Sequence, residues 1–66
     1  MITFEPLWKT LKDKGITQYE LITKYEMSRG TLDNLKHNRN ITLMTLNDLC
    51  NKLECEVCDV IEYTKD

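Results

Sequence analysis

The chain has 66 residues, 41% of them apolar and 30% charged, with two glycines, one proline and a formal net charge of −2. That length gives one domain at most and no catalytic cleft between domains, so function must sit on the surface of one small unit. The composition excludes a low-complexity or disordered chain, and no apolar run is long enough to cross a membrane.

At the start, Met1-Ile2-Thr3-Phe4-Glu5 lacks a basic stretch followed by an apolar block, so no secretion signal is expected. Phe4, Leu7, Trp8 and Leu11 then fall at i, i+3, i+4 and i+7, which predicts a helix from about Phe4 to Lys14. Thr3 is its expected cap, Pro6 fits its first turn, and Gly15 stops it. A second helix is expected from Thr17 to about Tyr25. Thr17 and Glu20 form a capping box, and Leu21, Ile22 and Tyr25 make the buried face.

Ser28 is a good N-cap for a third helix ending near His37, with Leu32 and Leu35 inward. His37-Asn38-Arg39-Asn40 breaks it, and Asn38 is the residue expected to turn left-handed. A fourth helix starts at Thr42 and runs to Leu53, with Leu43, Leu46, Leu49, Cys50 and Leu53 at helical spacing. A short fifth helix, about Val57 to Glu62, is expected to bury Val57, Val60 and Ile61, and no convincing strand is visible.

Charge is uneven along the chain. Residues 1–45 hold seven Lys and Arg against five Asp and Glu, a balance of +2. Residues 46–66 hold two against six, a balance of −4. A polyanion would be received by the first part and repelled by the acidic tail. Three cysteines, Cys50, Cys55 and Cys58, are odd in number and clustered, which fits reduced thiols in cytoplasm better than a secreted disulfide scaffold. Cys55 and Cys58 have the spacing of half a zinc site and Cys50 could add a ligand, but a structural site needs four and no fourth suggests itself. Cys50 and Cys55 fall on the apolar phase and are expected in the core, with Cys58 half exposed. No metal and no cofactor are expected. No nucleophile–base pair, carboxylate dyad or phosphate loop is present, so neither is an enzyme.

The informative segment is Thr17 to Leu35. Two short helices separated only by Glu26-Met27-Ser28 set the second across the first and let it project. A helix fits the major groove of DNA, where base edges can be told apart. Here the sequence resembles the Cro/CI-type, or XRE-like, helix-turn-helix regulators. The residues that carry the resemblance are Ile16-Thr17-Gln18 with Glu20-Leu21, Met27-Ser28-Arg29 with Thr31-Leu32 and Leu35, and Thr45-Leu46 with Leu49-Cys50 and Leu53. The opening Leu7-Trp8-Lys9, Leu11, Asp13-Lys14-Gly15 and the closing Leu53, Cys55, Asp59, Ile61-Glu62 look like a subgroup of very small stand-alone members, often found in Gram-positive bacteria and their mobile elements.

The resemblance implies an all-α bundle of about five short helices, lambda-repressor-like, in a single domain over residues 1–66. The helix-turn-helix would span about 17–37 and the C-terminal helix and acidic tail about 56–66. It implies that Arg29, Gly30, Thr31 and Asn34 face bases. It places Thr17, Gln18, Ser28, Lys36, Asn38, Arg39 and Thr42 toward phosphates. The chemistry suits those roles: Arg pairs with guanine, Asn with adenine, and the Thr methyl touches thymine. Glu26 stands where the family usually has Gly, and Ile22 where it prefers a small residue. Gly30 inside the reading helix is a further oddity.

The function expected is a sequence-specific transcriptional regulator, a repressor or autoregulator. It would act as a homodimer on a pseudo-palindromic operator, joined through Val60, Ile61 and Tyr63. The competing expectation is a protein-binding module on the same fold, an antitoxin or inhibitor.

Overall fold

The computed structural model describes all residues 1–66, as four α-helices closed by a small sheet. The elements are β1 (Ile2–Thr3), α1 (Glu5–Lys14), α2 (Gln18–Thr23), α3 (Arg29–Lys36), α4 (Leu43–Leu53), a 3₁₀ turn at Val57–Asp59 and β2 (Glu62–Tyr63). The strands run antiparallel, with Ile2 opposite Tyr63 and Thr3 opposite Glu62. Neither strand was expected, because two residues are too few to show an alternating pattern.

Most helix boundaries follow local chemistry. Gly15 (φ 70°) ends α1 in the left-handed conformation, its N–H reaching the carbonyls of Leu11 and Lys12. Thr17 caps α2 in a reciprocal box, its Oγ1 accepting from Glu20 N while Glu20 Oε1 accepts from Thr17 N, both at 3.1 Å. Ser28 and Thr42 cap α3 and α4 in the same one-sided way, at 3.1 and 3.0 Å. Asn38 (φ 53°) is left-handed, as its short polar side chain favours.

Three boundary expectations are corrected. Thr3 does not cap α1; it is paired in β1, and Phe4 occupies the N-cap without a side-chain bond. The free N–H of Phe4 instead donates to Asn38 Oδ1 at 2.9 Å. The helix carrying Leu21 ends at Thr23, so Tyr25 packs from the turn and not from a helix face. The fifth helix is a single 3₁₀ turn: Asp59 Oδ2 accepts from Glu56 N at 2.9 Å, and the chain then extends to pair with β1. Val57 is consequently half exposed where it was expected buried, and Leu43, at the first position of α4, is 82% exposed.

The core is Phe4, Leu7, Leu11, Leu21, Met27, Leu32, Leu35, Leu46, Leu49, Leu53 and Val60, with no buried polar residue. Every helix contributes, so the packing fixes how α3 lies against the rest. Trp8, Ile16, Ile22, Tyr25, Ile41, Cys50, Cys55 and Ile61 pack against its margin. Thr10 Oγ1 donates to the Asp59 carbonyl at 2.7 Å and ties the 3₁₀ turn to α1.

The corner between α2 and α3 is closed by Met27, whose N–H donates to the Leu21 carbonyl at 2.9 Å while its side chain enters the core. This closure holds Glu26 at φ 57°. A left-handed non-glycine residue costs about 1–2 kcal/mol, and glycine avoids the steric part of that cost. Glu26→Gly is therefore expected to stabilise the fold by about 1 kcal/mol, raising the midpoint of thermal unfolding by about 4–8 °C. A calorimetric scan of the two proteins checks it.

Candidate nucleic-acid interface

α3 buries Leu32 and Leu35 and turns its opposite side to solvent. Arg29, Gly30, Asp33, Lys36 and His37 are exposed, and Thr31 and Asn34 are half-buried on the flank. With about 3.6 residues per turn, Gly30, Asp33 and His37, spaced three and four apart, form the line directly away from the core. A Cβ built on Gly30 would meet nothing within 4 Å, so packing does not demand glycine there. The Ser28 hydroxyl, besides capping α3, donates to Thr31 Oγ1 at 2.8 Å.

The loop after α3 is held on three sides. Arg39 N donates to the Asn34 carbonyl at 2.8 Å. Arg39 Nη1 donates to Asp33 Oδ2, also at 2.8 Å. Asn38 reaches back to the start of α1 through its bond with Phe4 N. His37 Nδ1 lies 2.9 Å from the Asp33 carbonyl and 3.3 Å from Asp33 Oδ1. The contacts of Asp33 with Arg39 and His37 are exposed, so each contributes little stability, about 0–1 kcal/mol, but with the two loop bonds they fix where Arg39 sits.

The structure thus brings Arg29, Gly30, Thr31 and Asn34 together on α3, with Ser28 at its start and Lys36 near its end. Arg39 and Asn38 follow at once, Thr42 begins α4, and Thr17 and Gln18 begin α2. The hydroxyls of Thr17, Ser28 and Thr42 are engaged as caps, and Asn38 Oδ1 is engaged with Phe4, which leaves Gln18, Lys36 and the Asn38 amide nitrogen outside those bonds. The proposed dimer residues are not brought together as a surface. Val60 is fully buried in the core, and this corrects its assignment to an interface: its place on the apolar phase reflects core packing. Ile61 is half-buried and Tyr63 is exposed.

Two features lie outside the expectations drawn from the sequence. Asp33 sits in the middle of the solvent face of α3, a position that helical spacing from Gly30 and His37 could have revealed. Ile2, Phe4, Leu43, Leu46 and Ile61 line a depression of about 310 Å³ beside Asn38–Thr42, with Met1, Met44 and Tyr63 also exposed. It escapes a sequence reading because it joins Ile2, Phe4 and Ile61, from the two ends of the chain, to the segment around residues 38–43.

The cysteines offer a different chemistry. Cys50 and Cys55 are half-buried and Cys58 is exposed. Burial, then the neighbouring Cys50 and Asp59, push the Cys55 thiol up from its ordinary 9.0 to about 11, so the thiolate needed for metal ligation or redox attack is disfavoured. Since the folded protein resists ionising Cys55, this group's contribution to stability is full below pH 9 and is lost as the pH rises from 9 towards 11. Urea unfolding across that range is expected to show the decline, and Cys55→Ala to flatten it.

A polar helix presented by a tight helical corner on a small helical bundle defines a helix-turn-helix DNA-binding domain. The profile of the Cro/C1-type helix-turn-helix DNA-binding domain matches residues 6–66, and the chain belongs to that family. The fold is similar to the crystal structure of the transcriptional regulator VanUg, form II, with a TM-score of 0.87 and 31% identity, over 98% of this chain and 87% of that one. No curated protein matches the chain. No helix is long and apolar enough to cross a membrane.

Proposed function

We propose that this chain is a sequence-specific transcriptional repressor that reads the major groove with α3 and regulates by occupying its operator. The observation that carries the reading is the exposed face of α3, where Arg29 and Gly30 lie with Asn34 on the flank and the core asks for none of their side chains. Arg29 would pair with guanine, Asn34 with adenine, and the Thr31 methyl would touch thymine. Gly30 would let the backbone approach the bases. Gln18, Lys36, Arg39 and the capped starts of α2, α3 and α4 at Thr17, Ser28 and Thr42 would set the register on the phosphates, with Asn38 shaping the loop between. Family membership and the likeness to VanUg support this role.

One reading helix covers too few base pairs for a genome, so we take the working unit to be a cytoplasmic homodimer with half-sites about 34–36 Å apart. Ile61 and Tyr63 remain candidates for its contact, with Ile2 and Leu43 added. The apolar depression also favours a second reading, in which it takes a protein partner, as in an antitoxin or inhibitor.

Fluorescence anisotropy with DNA from upstream of the coding region, titrated at several salt concentrations, separates the two. The first reading predicts tight binding with two chains per duplex and an affinity that falls steeply with salt. Absent or sequence-blind binding favours the second.

A further inference from the structure

The ion pair between Asp33 and Arg39 bears on which base the helix selects. We propose that Asp33 is a specificity-determining residue, selecting cytosine at one position of each half-site. The inference rests on the DNA-reading role proposed above.

Asp33 lies one turn beyond Gly30, beside Asn34, on the line of α3 directly away from Leu32 and Leu35. Any duplex seated on that face meets a carboxylate near the middle of the contact. A carboxylate is acceptor-only, so it opposes guanine O6 and N7 and thymine O4 and accepts from an exocyclic amine. Cytosine N4 is the better match, because adenine N6 stands beside the N7 acceptor, whose lone pair opposes the carboxylate.

A bare carboxylate there would also be repelled by phosphates. Arg39 meets that difficulty: its Nη1 is 2.8 Å from Asp33 Oδ2, which balances the charge and orients the group. The other carboxylate oxygen, Oδ1, has only the longer 3.3 Å contact with His37 Nδ1. Arg39 is half exposed, so it can turn toward a phosphate while staying near Asp33. The carboxylate therefore works by rejection as much as by attraction, weakening every site with the wrong base beneath it.

The alternative is that Asp33 only positions Arg39. Selection from a randomised duplex library, with wild type, Asp33→Ala and Arg39→Ala, distinguishes the two. Wild type is expected to select a motif with one cytosine disfavoured for replacement by about tenfold. Asp33→Ala should make that position degenerate and leave the rest of the motif. Arg39→Ala should weaken all sites and leave the cytosine preference reduced but present, because Asp33 loses its orienting partner. The proposal is overturned if Asp33→Ala selects the wild-type motif, or if both variants lose the same positions to the same degree. If wild type itself selects no motif, the DNA-reading role fails, and this assignment with it; a wild-type motif unchanged by Asp33→Ala sinks the assignment alone. Circular dichroism confirms that each variant is folded.

Discussion

Replacing Arg29 and Asn34 together with Ala is expected to remove most sequence-specific binding and leave the fold intact. Arg29 is exposed at the first position of α3, and the residues that hold the helix are Leu32 and Leu35. Asn34 serves the loop through its carbonyl, which accepts from Arg39 N, and alanine keeps that bond. Each good bidentate base contact is worth about 1–3 kcal/mol of discrimination. Losing two removes about 2–6 kcal/mol, or roughly 30-fold to 10⁴-fold at one half-site. Lys36, Arg39 and the helix starts remain, so weak binding that falls with salt should persist on any duplex. Anisotropy with a selected and a scrambled duplex at one salt concentration measures the ratio. The ratio should fall by at least about 30-fold, and an unchanged ratio would move base reading away from Arg29 and Asn34.

The second large effect is on folding. Leu35→Ala is expected to remove about half of the chain's stability. Leu35 is fully buried and holds the reading helix in the core formed with Leu7, Leu21 and Val60, all equally buried. Removing a buried leucine side chain costs about 2–5 kcal/mol, because the surroundings collapse only partly into the space. A chain of this length has about 3–10 kcal/mol of total stability. Tyr19→Ala is the control: Tyr19 is 71% exposed and belongs to no proposed contact, and its loss should change stability by no more than about 0.5 kcal/mol. Urea titrations followed by circular dichroism compare the two.

Much of this arrangement was legible from local chemistry. The Thr17–Glu20 box, the Ser28 and Thr42 caps, the stop at Gly15 and the left-handed Asn38 each depend on a side chain within a few residues. The conformation of Glu26 was legible from the opposite direction: a resemblance that wants glycine there pointed to the positive φ that Met27 enforces. What stayed hidden depends on partners distant in the chain. β1 and β2 join residues about sixty apart. That pairing turned the expected fifth helix into one 3₁₀ turn and left Val57 outside the core.

The candidate site divides in the same way. Arg29, Gly30, Thr31 and Asn34 were legible because one helix sets their spacing. Val60 was misread because an apolar residue near a chain end suits a core or an interface equally well, and only the packing of Asp59 on α1 through Thr10 decides for the core. Asp33 was passed over because a carboxylate facing DNA is unfavourable until the Arg39 guanidinium is seen beside it.

The most direct test of major-groove reading by α3 is methylation interference on a bound site. Dimethyl sulfate marks guanine N7, which faces the major groove, and adenine N3, which faces the minor groove. Duplexes methylated at the guanine N7 opposed to Arg29 should be depleted from the bound fraction, with little depletion at adenine N3 in the same half-site. Identical patterns in bound and free DNA, or depletion confined to adenine N3, would contradict the account.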